Sequence, residues 1–455
     1  MTAGITPWAL SAKSAAALAG QAAALVRLLD EQPDTDPGDV AYSLANTGTS
    51  FGHRAVIVGA NRGELLSGLR ALASGTPSPT VITGRARRTG RRVFVFPGQG
   101  SEWVGMAVEL LTTAKPFAVQ MRRCDAAFAE FIDWSLVGVL VGDPGSPSID
   151  DDEVVQPLLF AVMVSLAAQW RALGIEPDAV IGHSHGEIAA AYTAGALSLR
   201  DAARVVCARS KAVTTMRGTG GMVSIARSVD LVCDLIRPWE GVLSIAGRNG
   251  PSSTDVTGNR AALDDLVALC RREQLPATRI PVGYAPHSLD MEDLREMLRD
   301  SLAEVQPQPT DVTFISTVTG AAVDTSILNG EYWFANLRQS VLFEDAVQWS
   351  YGRGYRTFIE CSPQPMLTAD IEESLDDRGD DHTVVGTLRR NDGGMRRFMM
   401  SVAEAHVRGN SPNWMLSTLT PSPRPMRYAL QSQAMSPSQG SYSPSVGTWI
   451  RHRGL

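Results

Sequence analysis

The strongest chemical signal in this sequence is Ile181-Gly182-His183-Ser184-His185-Gly186-Glu187. A serine with glycines two positions to either side, after a short apolar strand and before an Ala-rich helical stretch, matches the turn that presents a nucleophilic hydroxyl. Small residues are needed at 182 and 186 because the turn is tight and its backbone approaches neighbouring strands. The turn lifts the Ser184 hydroxyl at the carboxyl end of a sheet. Free N–H groups at the start of the following helix suit a developing oxyanion. The bland alternative is a Gly-flanked serine in an ordinary strand-to-helix turn.

A nucleophilic serine needs a base, and the chain has seven histidines. His183 and His185 flank the serine, and neighbours in such a turn normally point away from its hydroxyl. His53 lies in an amino-terminal unit, His382 and His452 in polar segments, and His406 in a late helix. His287, in Gly283-Tyr-Ala-Pro-His-Ser288, stands where the chain returns from an inserted unit and is the best-placed base; the alternative is a loop histidine. Among the acids, Asp264 and Asp265 lie between Ser184 and His287 in sequence, but on a helix of the inserted unit. A backbone carbonyl could orient the histidine instead. Arg209, in Val205-Val-Cys-Ala-Arg-Ser210, follows Ser184 by 25 residues on a mostly apolar helix. It is either a surface arginine or a fixed bidentate partner for a carboxylate in a cleft.

These residues need elements to position them. Residues 1–92 read as a small α/β unit: an extended piece at Pro7–Leu10, helices over 14–30, 40–46 and 63–73, and strands at 54–59 and 81–83, with the polar, basic run 84–92 as a connector. Val93-Phe-Val-Phe96 opens a second unit as a buried strand leading into a Gly-rich turn. The apolar stretch 154–170 reads as a buried helix with Pro157 in its first turn, and 179–181 as a central strand. Helix 186–194 and a capped helix beginning after Ser198 complete this half. Residues 222–282 give the order βαββαβ, a ferredoxin-like unit inserted in the larger one. Alternation resumes with helix 291–302, strand 313–316, helix 343–351, strand 357–361 and helix 365–374, and a last helix spans 395–407. The fold class is therefore α/β. A large α/β-hydrolase-like unit (93–221 and 283–394) carries an inserted ferredoxin-like unit (222–282). A small α/β domain (1–92) precedes it and a linker and tail (395–455) follow, disordered over 432–445.

Composition bounds the partners. The 455 residues carry 41 basic and 48 acidic side chains, a net charge of −7, with 44% hydrophobic residues. That is an ordinary globular mix, with no electrostatic footprint for nucleic acid or an anionic membrane. The cysteines at 124, 207, 233, 270 and 361 are scattered and form no C-x-x-C pair, so neither a disulfide framework nor a structural zinc site is expected. A reducing, cytoplasmic compartment follows. No uninterrupted apolar run reaches membrane-spanning length. The stretch Ala15–Val26 lacks a basic flank and is interrupted by Gln21, so it reads as a surface helix rather than a signal.

Phe96-Pro-Gly-Gln-Gly-Ser101, Gly182-His-Ser-His-Gly-Glu187, the Arg209-Ser210 helix and Tyr284-Ala-Pro-His287 occur in the same order as in malonyl-type acyltransferases. Over about 93–408 the chain resembles the acyltransferase domains of modular type I polyketide synthases, and residues 1–92 resemble the linker that follows a ketosynthase. The resemblance implies that Ser184 is acylated by an acyl-CoA with His287 as base and then acid. It implies an oxyanion hole from the backbone N–H groups of Gln99 and His185. It further implies that Arg209 pairs with the free carboxylate of a malonyl-type unit, and that a main-chain carbonyl near 340–342 orients His287. Asn249, in Arg248-Asn-Gly-Pro251, matches a motif lining the cleft between subdomains. The acceptor is then the phosphopantetheine thiol of an acyl carrier protein, with no metal or redox cofactor. A ketosynthase would contact residues 1–92.

The extender unit is partly legible in the same way. Glu153-Val-Val-Gln156 and Tyr284-Ala-x-His287 resemble the methylmalonyl type. Pro286 stands where that type has Ser and His185 where it has Gln, which leaves room for a larger α-substituent. Gln364 replaces a usual His, and Leu342 a common Arg. The alternatives are a starter-loading acyltransferase using monocarboxylic acyl-CoA, a serine hydrolase or editing thioesterase, and a non-enzymatic scaffold held through residues 1–92.

Overall fold

The computed structural model describes residues 4–46, 50–87, 90–379 and 381–414. Three sheets organise it. The first is antiparallel, in the order Thr6–Ala12, His53–Gly59, Val81–Arg85. Helix Ala15–Glu31 buries Leu18, Ala22, Leu25 and Leu29, one stripe at helical spacing, onto a core that includes Trp8, Leu10 and Ile57. Ser14 caps that helix by accepting from the Ala17 N–H.

The second sheet holds the site. Its order is Ala321–Ala322, Thr313–Ser316, Ala179–Gly182, Arg91–Phe96, Tyr355–Glu360, Thr383–Gly386, parallel except for the first edge strand. The central strands are apolar on both faces, as a parallel sheet covered on two sides requires. Phe94, Phe96 and Val180 face a core with helix Asp152–Ala172, while Val93, Val95 and Ile181 face one with Phe343, Val347 and Ile371. Helix Asp152–Ala172 is, among the described residues, the one long and apolar enough to cross a membrane, and it is buried in the main core.

The third sheet covers one end of the second. Its strands run Val341–Leu342, Leu243–Gly250, Ser253–Asn259, Gly220–Ile225, Ala277–Ile280, with helices Val229–Ile236 and Arg260–Arg272 alongside. Four strands carry the ferredoxin-like order. The fifth, Val341–Leu342, comes from the returning chain and pairs in parallel with Gly247 and Arg248, so residues 222–282 alone do not complete this sheet.

Several boundaries differ from the sequence reading. The basic connector is shortened at both ends by strands Val81–Arg85 and Arg91–Phe96. Pro157 lies inside helix Asp152–Ala172 rather than in its first turn. The stretch read as one helix over 291–302 is a 3₁₀ turn, Leu289–Leu294, running into helix Arg295–Ser301. Helices Lys115–Phe128, Leu136–Val141 and Gly330–Arg338 were not anticipated. Helix Met395–Val407, placed by sequence in a trailing linker, is part of the main core through Phe398, Val402 and Ala405. It also ties down the first sheet, where Arg54 Nη1 donates to the His406 carbonyl at 2.9 Å. The tail expected to be disordered lies outside the described residues.

Candidate active site

Strand Ala179–Gly182 ends where helix Gly186–Ala194 begins, and Ser184 stands between them at φ 53°. Both flanking glycines are enforced by contact. A Cβ at 182 would fall 2.2 Å from Glu187 Cα, and one at 186 would fall 2.2 Å from the Phe96 carbonyl oxygen. The Glu187 side chain, fully buried, secures the turn from behind. Its carboxylate accepts from Thr317 N at 2.5 Å, Thr317 Oγ1 at 2.9 Å, Tyr332 OH at 2.7 Å and Asn336 Nδ2 at 2.9 Å. Burial raises its pKa despite these donors.

Ser184 Oγ lies 2.9 Å from His287 Nε2. The other ring nitrogen, Nδ1, is 2.7 Å from the Gln339 carbonyl, and the His287 N–H donates to the Leu337 carbonyl at 2.9 Å. The orienting carbonyl is therefore Gln339, one residue before the expected span 340–342. Residues 341 and 342 are committed to the third sheet, and Gln339 is the residue that follows helix Gly330–Arg338. Asp264 is instead paired with Arg279 on the small unit. Burial, and then the nearby Arg209 charge, lower the His287 pKa to about 3. The imidazole is neutral near pH 7, the form a base needs.

Arg209 is 5% exposed. Nη2 donates to Ser184 Oγ at 3.1 Å and Nη1 to Asn336 Oδ1 at 3.0 Å, while Nε has no partner. The cation is thus held by a hydroxyl and an amide and neutralised by neither, which leaves it available for a carboxylate beside the serine. Asn336 went unnoticed in the sequence. Besides Arg209 and Glu187 it reaches the Ser184 carbonyl, donating from Nδ2 at 3.1 Å. The only signal was an asparagine within the otherwise apolar run Tyr332-Trp-Phe-Ala-Asn-Leu337.

The remaining expected residues gather around the same opening. Gln99 Nε2 donates to Asp152 Oδ1 at 2.9 Å, and Gln156 Nε2 lies 3.3 Å from both Gln99 Oε1 and Tyr284 OH. The backbone N–H groups of Gln99 and His185 donate to no protein acceptor among the described residues. Neither flanking histidine bonds the Ser184 hydroxyl. His185 Nε2 is buried without a partner, and burial lowers the ring's pKa to about 3. His183 Nε2 lies 2.8 Å from Asn249 Oδ1, and Asn249 Nδ2 donates to Asp255 Oδ2 at 2.8 Å, which links the serine turn to the small sheet. A cleft of about 540 Å³ between the two sheets is lined by Gln99, Gln156, Ser184, His185, Arg209, Asn249, Tyr284, Pro286 and His287 together. No group of three or more His, Cys, Asp or Glu side chains among the described residues is arranged to hold a metal.

Comparison with known proteins places this geometry. The model described as acyl transferase domain matches residues 93–412, and one described as CurL-like, PKS C-terminal matches residues 7–69. Mycoketide-CoA synthase of Mycobacterium tuberculosis is 51% identical over 413 residues, covering 90% of this chain and 10% of the relative. Erythronolide synthase EryA2 of Saccharopolyspora erythraea is 44% identical over 412 residues, covering 90% and 12%. The chain therefore spans about a tenth of the length of these relatives. Among solved structures, the acyltransferase domain from module 8 of the salinomycin polyketide synthase superposes with a TM-score of 0.88 at 46% identity, covering 90% of this chain and 98% of that one. A loading acyltransferase from the avermectin modular polyketide synthase gives 0.67 at 45% identity, covering 69% and 99%. The acyltransferase domain of SpnD, in complex with 2-(pent-4-yn-1-yl)malonyl, gives 0.77 at 25% identity, covering 92% and 97%.

Proposed function

The chain belongs to the acyltransferase domains of modular polyketide synthases, and on that premise we propose that it moves an α-substituted malonyl unit from CoA onto Ser184 and then onto the phosphopantetheine thiol of an acyl carrier protein. The observation that carries this reading is the Arg209 guanidinium, which bonds no carboxylate among the described residues and lies 3.1 Å from Ser184 Oγ. A carboxylate held there fixes the far end of the acyl group and presents the thioester carbon to the hydroxyl.

His287 Nε2 takes the Ser184 proton as Oγ attacks the thioester. The oxyanion accepts from the backbone N–H groups of Gln99 and His185. On collapse, the C–S bond breaks and the departing CoA sulfur receives the proton from the imidazolium. The carrier thiol then repeats the sequence in reverse roles, giving a ping-pong reaction with an acyl-serine intermediate. The Gln339 carbonyl and the carboxyl end of helix Gly330–Arg338 favour the imidazolium, while the Arg209 charge opposes it. A substrate carboxylate on Arg209 removes that opposition, so a malonyl-type unit strengthens the base that acts on it. Acetyl or propionyl units lack this contact, a difference of a few kcal/mol or about 10²-fold in selectivity.

Tyr284, Gln156 and Pro286 line the cleft beside His287 and are proposed to receive the α-substituent, with methylmalonyl the leading unit and larger alkylmalonyl units next. The α-substituted malonyl group bound by the SpnD domain supports this class. Residues 7–69, which match the PKS C-terminal model, are proposed to meet a ketosynthase. Similarity to a loading acyltransferase favours a second reading, starter loading from monocarboxylic acyl-CoA.

Intact-protein mass after brief incubation with equal malonyl-, methylmalonyl-, ethylmalonyl-, acetyl- and propionyl-CoA tests both. A methylmalonyl or ethylmalonyl adduct that is absent from Ser184→Ala supports the first reading. An acetyl or propionyl adduct that survives Arg209→Ala replaces it with the second. CoA release without an adduct points to hydrolysis.

A further inference from the structure

The cleft holds a second arginine whose charge no carboxylate meets. Arg390 lines the same opening as Ser184 and Arg209. Its Nε donates to Gln364 Oε1 at 2.7 Å and its Nη2 to the Glu102 carbonyl at 3.1 Å, and it pairs with no carboxylate among the described residues. Nη1 is left over. The carboxylates that share the lining are engaged elsewhere. Glu102 Oε2 accepts from Gly100 N at 2.7 Å, Asp255 Oδ2 accepts from Asn249, and Asp370 accepts from Ser253. Arg279, also on the lining, is neutralised by Asp264. The cleft thus carries two oriented guanidinium groups that bond no carboxylate among the described residues, each held by an amide oxygen: Arg209 by Asn336 at the buried floor and Arg390 by Gln364 at the exposed rim.

That arrangement matches a ligand that is anionic at both ends. A Cβ on Gly98 would stand 3.9 Å from Ser184 Cβ, and four residues of chain, at most about 14 Å when fully extended, lead from there to Glu102, whose carbonyl holds Arg390. The pantetheine arm between thioester and phosphate is a chain of that order of length. Resting on the acyl-transfer reading above, we infer that Arg390, aimed by Gln364, is the subsite for the phosphate ester that ends the pantetheine arm. That group is present both on CoA, as a diphosphate, and on the carrier protein, as a phosphodiester. The inference also gives Gln364 a role: its neutral amide oxygen orients the guanidinium without cancelling its charge, as a carboxylate would.

The test compares donors with and without the phosphate-bearing end of the pantetheine arm. Single-turnover acylation of Ser184 is measured with methylmalonyl-CoA and with methylmalonyl-pantetheine, for the wild type, Arg390→Ala and Gln364→Ala. Transfer from the acyl-enzyme is measured to phosphopantetheinylated carrier protein and to free pantetheine. The expected result is that Arg390→Ala lowers the ratio of kcat/KM for phosphorylated over unphosphorylated partner by about tenfold or more, with a smaller fall for Gln364→Ala. A fall in the donor ratio alone assigns the subsite to the CoA diphosphate, and a fall in the acceptor ratio alone to the carrier phosphodiester. Ratios unchanged in both half-reactions, including equal losses from a folding defect, overturn the subsite while leaving acyl transfer intact. A wild type that is acylated by neither donor removes the acyl-transfer reading and the subsite with it.

Discussion

Ser184 and His287 both occupy left-handed backbone, at φ 53° and 60°, with Oγ and Nε2 2.9 Å apart. Non-glycine residues rarely adopt that region, and two of them meeting at one hydrogen bond is strain concentrated at the proposed nucleophile and base. Each is over-determined by its surroundings. The turn at Ser184 is closed by glycines against Glu187 and Phe96, and His287 is pinned by the Leu337 and Gln339 carbonyls. Neither side chain can relax away from the other without breaking these contacts.

The strain at the serine is separable from its chemistry. Ser184→Ala and Ser184→Gly both delete the hydroxyl and both abolish the acyl adduct. Glycine alone is at ease at φ 53°, so the glycine variant is expected to be more stable than the alanine variant by about 1 kcal/mol. Chemical denaturation of the pair measures this, and equal stabilities would mean that the turn is not strained.

The pH profile follows from the base. With its pKa lowered to about 3 by burial and by Arg209, His287 is neutral throughout the ordinary working range. kcat/KM for the acylation half-reaction, which reports the free enzyme, is expected to show no limb from this group between about pH 5 and 8. Arg209→Ala removes the second largest cause of the lowering, so its acidic limb moves upward, toward the ordinary histidine value. An ordinary limb near pH 6.5 in the wild type would show that the imidazole is better solvated than its burial implies.

The chemistry of the site was more legible in the sequence than its supports. Ser184 sits in a G-x-S-x-G turn that can be read without knowing the fold, whereas a loop re-entry for His287 and an apolar helix for Arg209 left a loop histidine and a surface arginine open until the ordered motifs were taken together. Gln339 and Asn336 could not be read this way. They act through a helix, Gly330–Arg338, whose buried face mixes Tyr332, Trp333, Phe334 and Asn336 and gives no clean amphipathic stripe. A backbone carbonyl leaves no trace in residue type at all. The same reason hid the fifth strand of the small sheet, since Val341–Leu342 is too short to show a period and forms only because the chain returns beside Gly247.

Glu360 ends a central strand and is fully buried, with Ser362 Oγ and the N–H groups of Met366 and Leu367 as donors. Burial raises its pKa from 4.5 to about 7. The folded state therefore binds the proton more tightly than the unfolded state. The stability this confers is fully present below about pH 4.5 and is lost as pH rises through 7. Glu360→Gln cannot titrate. Wild type is expected to gain on it as pH falls from 8 to 5, with a slope of at most about 1.4 kcal/mol per pH unit. Denaturation midpoints of the two proteins at pH 5, 6.5 and 8 check the sign, and a difference that does not change with pH would show that Glu360 stays ionised.

Asn336 bonds three parts of the site at once, through Arg209 Nη1, the Ser184 carbonyl and Glu187 Oε2. Asn336→Ala leaves the guanidinium charged but frees one of its two anchors, and removes a buried donor from Glu187. Stability should fall by about 1–3 kcal/mol, the usual cost of leaving buried polar groups unpaired. A purely structural residue would slow all acyl donors alike. As a positioning residue for Arg209, Asn336 should instead matter most for the donor that carries a carboxylate, so kcat/KM for methylmalonyl-CoA falls about tenfold relative to propionyl-CoA. Competition between these two donors, read as the ratio of adduct masses on Ser184, separates the two roles, and an unchanged ratio would assign Asn336 to folding alone.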